Sequence, residues 1–216
     1  LSDVLGMEVH LKYEMQQVSG SFKARGAFNR ILSLDPTKRT EAFFVAASTG
    51  NHAAACCTAL QALELDGKVF LPESVSDSKL AYIQSFGIPY ELHGRNSLHT
   101  ELYCRKIAEE HGFELVHPYN DPLIVAGQGT VACELLEQLP DVEVVVVPVG
   151  GGGLMGGMAS WIKTERPEVH LVGVQPEKSP EMVRSVEKGS ILTEDISQPT
   201  LSDGTAGGME PGSVTF

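Results

Sequence analysis

The sequence has no C-x-x-C pair, no cluster of basic residues and no apolar run longer than a β-strand. Each absence removes a class of function. Without C-x-x-C, the four cysteines, Cys56, Cys57, Cys104 and Cys133, do not spell a zinc ribbon or a dithiol redox centre. They fall in helix-like stretches among apolar residues and read as buried, reduced thiols of a reducing compartment. With 16 Lys plus Arg against 28 Asp plus Glu, the formal charge is −12, so the electrostatic footprint of a nucleic-acid or anionic-membrane binder is missing. The acidic excess reads as a solvated surface. The apolar runs are too short to span a bilayer. No secretory signal or transit peptide, internal repeat or low-complexity tract is visible. His52 has no second histidine at ligand spacing, and no metal is expected.

What the sequence has is glycine, 22 in 216 residues. Four stand in a row, Gly150, Gly151, Gly152 and Gly153, after the apolar run VEVVVVPV (142–149) and before the helix-like LMGGMASWIK (154–163). Strand, glycine loop and helix start build an anion site: glycine lets the backbone approach a ligand, and the free N–H groups of a helix start favour negative charge. Phosphate is the expected occupant. Gly151, Gly153 and Gly156 fit G-x-G-x-x-G, but the next strand, VHLVGV (169–174), ends in Gln175 where a dinucleotide fingerprint wants an acid. No Walker lysine follows the loop. A ligand-free tight turn is the bland alternative, and six glycines between 150 and 157 exceed what a turn needs.

Strand-like and helix-like segments alternate along the chain. Expected strands are 43–47, 69–71, 90–92, 113–116, 142–149 and 169–174. Expected helices are 50–65, 76–86, 97–111, 130–139, 154–163 and 180–188, with a further helical stripe through Ala27, Phe28 and Ile31. Ser76 is expected to cap one helix and Gly87 to close it. Met7 to Lys12 alternates like a strand. Repeated βα units of this length imply an α/β fold, a parallel sheet covered by helices.

Two short stretches carry chemistry. In SGSFKARGA (19–27), Lys23 falls in the first turn of a helix, where the positive end of the dipole and partial burial both disfavour its ammonium form. A neutral lysine is a base and a Schiff-base former; taken alone, Lys23 does not outweigh the reading as a solvated surface lysine. STGNH (48–52) follows a strand and opens the alanine-rich helix, so hydroxyls, an amide and helix N–H groups converge as for a carboxylate. Plain N-capping by Ser48 or Thr49 is the competing reading.

Together, VSGSFKARGA (18–27), ASTGNHA (47–53), HPYNDP (117–122), AGQGTVACELL (126–136) and PVGGGGLMGG (148–157) resemble the fold-type II pyridoxal-phosphate enzymes of the threonine/serine dehydratase and serine racemase group. The resemblance implies a two-lobed, tryptophan synthase beta-like fold, with residues 42–117 as a small domain and 1–41 with 118–216 as an incomplete large, cofactor-binding domain. It implies that Lys23 is catalytic, carrying the Schiff base with pyridoxal 5'-phosphate and moving the α-proton. Phe22 would pack beside the cofactor, Asn51 would bond its 3'-oxygen, and Gly150, Gly151, Gly152, Gly153 and Leu154 would cradle its phosphate. Ser48, Thr49, Gly50, Asn51 and His52 would bind the substrate carboxylate. The implied reaction is dehydration and deamination of L-threonine or L-serine to 2-oxobutanoate or pyruvate and ammonia. A cytoplasmic homodimer is expected, without nucleic acid or membrane partners.

Racemisation of serine stays open, since Thr49 keeps a hydroxyl where racemase relatives have serine; Tyr119 favours the dehydratases, which carry an aromatic there. A β-replacement enzyme, a catalytically silent pyridoxal-phosphate binder and a dinucleotide-binding protein are the remaining alternatives. Gln175, an uncharged and weaker ligand for hard cations, stands where many eukaryotic relatives place an acidic cation ligand; Glu181 could still serve, but no metal is expected. The chain is expected to be a fragment, lacking the usual opening segment and the last hundred residues or so, a domain's worth of chain. The residue facing the pyridine nitrogen, and any targeting segment, would lie in the missing parts.

Overall fold

The computed structural model describes residues 1–48, 50–95, 97–192, 194 and 196–216, so Thr49, one of the expected substrate-binding residues, lies outside the described residues. In chain order the elements are α1 (Ser2–Leu5), α2 (Lys23–Leu32), α3 (Pro36–Glu41), β1 (Phe44–Ala47), α4 (Asn51–Leu63), β2 (Gly67–Leu71), α5 (Asp77–Gln84), β3 (Tyr90–Leu92), α6 (Ser97–His111), β4 (Glu114–Leu115), α7 (Pro122–Gln138), β5 (Val144–Pro148), α8 (Gly153–Glu165), β6 (His170–Val174) and α9 (Glu181–Lys188). The expected α/β architecture is present: two sheets, each wholly parallel, flanked by helices. Among the described residues, no helix is long and apolar enough to cross a membrane.

The first sheet has the strand order β3-β2-β1-β4. Both its faces are covered, which is why β1 is apolar at every position. Phe44 and Ala46 face a core with Ala27 and Ile31 of α2, Leu60 of α4 and Ile83 of α5, while Val45 and Ala47 face Cys104 and Ala108 of α6. Fully buried side chains such as Phe44, Ile31 and Ile83 each stabilise the fold by roughly 1.5–3 kcal/mol. The second sheet pairs β5 with β6 and packs one face, through Val145 and Val147, on Val131 of α7 and Met158 and Ile162 of α8. Its other face, with Val144, Val146, Val172 and Val174, is exposed.

In the first sheet, the chain builds outward from β1 through β2 to β3, then returns to the other side of β1 as β4. The carboxyl ends of β1 and β4 therefore flank a topological switch point, where open parallel sheets leave a crevice. Ser48 to His52 follow β1 and Val116 to Asn120 follow β4. Both stretches of interest are delivered there by connectivity alone.

Backbone-to-backbone packing links this crevice to the glycine loop. A Cβ on Gly127 of α7 would stand 2.7 Å from Gly26 Cα of α2, and one on Gly157 of α8 would run into Val125 O and stand 2.7 Å from Gly129 N. Only glycine allows α2, α7 and α8 to approach so closely. Helices whose first turns hold Lys23 and the glycine loop are thus fixed against one rigid element.

Two local expectations are corrected. The helix expected from Thr130 starts at Pro122, because Asp121 caps it, accepting from Leu123 N at 2.7 Å, and proline suits a first turn. Gly127 and Gly129, which weaken a helix in isolation, are its packing surface. Met7 to Lys12 forms no strand. No strand edge pairs with it; Ser2 Oγ holds Val9 N at 3.0 Å and Lys12 bridges to Glu134 instead. Ser76 does occupy the N-cap of α5, but its hydroxyl contacts Ser78 Oγ rather than the helix amides.

Candidate active site

Lys23 opens α2, and its Nζ donates to the carbonyl of Pro118 at 2.6 Å. The residue as a whole is half-buried, and its amine is buried. Burial draws its pKa down from 10.5 to about 8, against the opposing pull of Cys56 and the carboxylate of Glu101. Desolvation is the larger cause, and the helix dipole acts in the same direction. Phe22, directly before it, packs with the Met158 cluster, and its ring centroid lies 5.5 Å from Lys23 Nζ.

One residue along from Pro118, the ring of Tyr119 lies on the glycine loop. A Cβ on Gly151 would stand 2.5 Å from Tyr119 Cδ1. Lys23 and the loop are therefore tied to neighbouring residues of one turn. Gly152 sits at φ +85°, a conformation costly for any residue with a Cβ, and α8 begins at Gly153 without a side-chain cap. The amide groups of its first turn are left free for an anion. Gly150 faces Thr205, and Thr215 Oγ1 donates to Gly151 O at 2.6 Å. Leu154 buries its side chain in the core, so only its backbone N–H is offered to a ligand.

Across the crevice, α4 starts at Asn51, also without a side-chain cap, and Ser48 Oγ accepts from Gly50 N at 3.2 Å. Simple capping by Ser48 is thus not what this turn does. Asn51 is exposed, with its Nδ2 facing Gly204, and makes no side-chain hydrogen bond among the described residues. The ring of His52 is buried. Its Nε2 donates to Val116 O at 2.8 Å, stapling the ends of β1 and β4, while its buried Nδ1 has no partner among the described residues. Burial, and then Lys23, push its pKa down to about 3. What His52 can present to a ligand is its backbone N–H, not its imidazole.

Sequence reasoning did not single out four participants for these roles. Glu101, on α6, has a largely buried carboxyl raised to about 7 by desolvation and then by Glu210; Lys23 and Arg105 pull it down. His117 accepts Tyr119 N at 3.2 Å and Asn120 N at 2.8 Å through Nδ1. Its proton therefore sits on Nε2, which donates to Glu210 at 3.0 Å. Burial keeps the imidazole neutral. Pro118 supplies the carbonyl for Lys23, and the 202–216 segment lays Gly204, Thr205, Glu210 and Thr215 along the site. The HPYNDP stretch carried a signal for His117 and Pro118. Glu101 looks like any charged residue of α6, and Glu210 lies in a segment without periodicity. Among the described residues, no cluster of His, Cys, Asp and Glu is arranged to hold a metal ion.

Comparison with known proteins bears on the whole chain. The family model described as pyridoxal-phosphate dependent enzyme matches residues 1–216. The L-threonine ammonia-lyase of Thermotoga maritima is 43% identical over 218 residues, covering 100% of this chain and 53% of that protein. Among solved structures, maize serine racemase superposes with a TM-score of 0.89 at 31% identity, covering 97% of this chain and 63% of that one. The processed form of threonine deaminase isoform 2 from Solanum lycopersicum superposes with a TM-score of 0.88 at 31% identity, covering 97% and 61%. The chain spans about half the length of the curated relatives it matches.

Proposed function

We propose that this chain, which belongs to the pyridoxal-phosphate dependent enzyme family, is the cofactor-holding part of an ammonia-lyase that converts L-threonine or L-serine to 2-oxobutanoate or pyruvate and ammonia. The observation that carries the reading is the turn at Pro118 and Tyr119. Its Pro118 carbonyl holds a buried lysine of lowered pKa, and its Tyr119 ring lies on an uncapped glycine loop.

The residues present fit the cofactor. Gly150 to Gly153 and the backbone of Leu154 would hold the phosphate, in a cradle that any Cβ would crowd. Lys23 would hold the aldehyde carbon, Phe22 would wall one side, and the unengaged amide of Asn51 would meet the ring hydroxyl. Bound there, pyridoxal phosphate supplies an electron sink for charge developing at the α-carbon of an amino acid.

The chain's own groups do the rest. Ser48, Gly50 and the first amides of α4 at Asn51 and His52 orient the substrate carboxylate, and Thr49 belongs to the same proposal. Lys23 Nζ, near the midpoint of its titration at pH 8, takes the α-proton and can return one. The stacked Tyr119 and the 202–216 segment exclude water from the loop side. Tyr119 and the threonine-named relatives support dehydration over racemisation. The maize racemase likeness keeps serine racemisation as the second reading. The homodimer belongs to the proposal, and the four unpaired thiols support a cytoplasmic setting.

The test is release of 2-oxo acid from L-threonine and L-serine by full-length protein supplied with pyridoxal phosphate, with D-serine assayed in the same samples. Keto acid sustains the lyase. D-serine without keto acid moves the assignment to the racemase, and neither product leaves a cofactor-binding protein. Sedimentation of the same sample checks the dimer.

A further inference from the structure

The turn that positions Lys23 is itself held from outside by one carboxylate. Glu210 accepts from Arg105 Nη2 of α6, from Asn120 Nδ2 and from His117 Nε2, and its own backbone N–H donates to Tyr119 Oη at 3.0 Å. Three of these four contacts reach residues 117–120. Pro118, the partner of Lys23, lies between two of them, and Tyr119 covers Gly151. The tautomer of His117 makes the arrangement directional: its Nδ1 is occupied by two backbone amides, so Nε2 has a proton to give and Glu210 is the acceptor. Beside this hub lies a cleft of about 310 Å³, with Arg105, His117, Asn120 and Glu210 together with the apolar Phe113 and Leu115 in its wall, so the turn is open on that side. On that side its position depends on the polar contacts of Glu210, while Tyr119 packs on the glycine loop on the other.

We propose that Glu210 is a positioning residue for the reaction at Lys23: its carboxylate fixes the His117–Asn120 turn, and through it the place of Lys23 Nζ relative to the glycine loop. The proposal rests on the ammonia-lyase reading above. It extends that reading to a residue that touches neither the lysine nor the loop. A second effect follows from charge. The groups facing Glu101 are Lys23 from α2, Arg105 and Cys104 on its own helix, Tyr119 from the turn and Glu210 from the tail. Removing the negative charge of Glu210 lets Glu101 ionise at lower pH.

The experiment compares full-length wild-type protein with Glu210→Gln. Three quantities are read: kcat and KM with L-threonine across pH, the rate at which pyridoxal phosphate is captured at Lys23 (trapped with borohydride and located by peptide mass), and the melting temperature. Glutamine places an amide N–H among donors that need an acceptor. The expected result is a fall in kcat on the order of 10–100-fold with KM within about twofold, as for a small misplacement of a reacting group. Lys23 capture slows in parallel, and the acidic limb of kcat/KM, set by Lys23, moves to higher pH because a more readily ionised Glu101 holds its ammonium form. A folded Glu210→Gln protein with wild-type kcat, capture rate and pH profile overturns the proposal. If that variant fails to fold, Glu210→Asp, which keeps the charge and shortens the reach, is judged by the same kcat and capture rate. Wild-type protein that captures the cofactor at Lys23 but releases no keto acid defeats the ammonia-lyase reading, and the capture rates then decide the role of Glu210.

Discussion

Lys23 Nζ and the carbonyl oxygen of Pro118 stand 2.6 Å apart, although 95 residues separate them in the chain. The contact places the amine at the switch point of the first sheet and removes it from water. Its lowered pKa follows from that burial. Its hydrogen-bond partner is a neutral carbonyl rather than a carboxylate, so the desolvation is not fully compensated.

Lys23→Ala is expected to reduce kcat/KM for L-threonine by at least about 10³-fold, the loss of a positioned proton-transfer group. It is also expected to abolish borohydride trapping of pyridoxal phosphate on the full-length protein. Turnover within tenfold of wild type would remove Lys23 from the mechanism.

The same burial destabilises the cofactor-free protein. The folded pKa is about 8 and the unfolded value 10.5, so between these pH values the unfolded chain binds more protons and stability rises with pH. Below pH 8 the full penalty is present, roughly 3 kcal/mol at about 1.4 kcal/mol per unit. Lys23→Met is therefore expected to be more stable than wild type by about that amount at pH 7, with the gain vanishing toward pH 10.5. Urea unfolding of the cofactor-free full-length proteins at the two pH values measures it.

In mild acid, three groups compete. His52 and His117 have lowered folded pKa values, so each costs stability as pH falls below about 6.5; Glu101, raised to about 7, gains stability as pH falls. Between pH 6 and 5 the net is one proton. Glu101→Gln keeps the shape and deletes the offset. The expected slope of unfolding free energy in that window rises from about 1.4 to about 2.7 kcal/mol per pH unit. An unchanged slope would mean that Glu101 titrates normally in the fold.

Gly157→Ala tests the close approach of α7 and α8. The added Cβ would collide with Val125 O and Gly129 N, which are backbone atoms that cannot swing aside. A loss of about 3 kcal/mol or more is expected, at the upper end for overpacking, read from the urea midpoint.

Gly151→Ala should behave differently, because the obstacle is the buried ring of Tyr119, whose hydroxyl is tied to Glu210, rather than backbone. A loss of about 1–3 kcal/mol is expected, the ordinary range for overpacking against a buried side chain. The dissociation constant for pyridoxal phosphate is expected to rise about tenfold, since a displaced Tyr119 shifts the loop whose amides would hold the phosphate. Equilibrium titration of the cofactor's absorbance distinguishes this from the behaviour of Gly157→Ala.

Much of the candidate site is legible in the sequence because its pieces are local. A strand followed by Gly150 to Gly153 and a helix, or by Ser48 to His52 and a helix, is a contiguous pattern whose backbone geometry follows from neighbouring residues. The helical stripe that puts Lys23 in a first turn is equally local, as are α5, α6 and β3. Sequence and structure part where a local signal is overruled from a distance. Glycines at 127 and 129 argue against a helix until α2 and α8 are seen to press on them. The alternation of Met7 to Lys12 carries no weight without a strand to pair with. The motif around His52 points to a ligand, but the ring itself is turned inward to Val116.

The sequence by itself determined the α/β order, the glycine loop between a strand and a helix, and the place of Lys23 in the first turn of a helix, because each depends on interactions spanning a few residues. Only the tertiary structure decided that Pro118 receives Lys23, that Glu101 stands in its field, and that Glu210 and Thr215 reach back from the end of the chain. Those facts depend on burial and on contacts between segments up to about a hundred residues apart. Hydrogen bonds, desolvation and charge act through space, and no spacing along the chain encodes them.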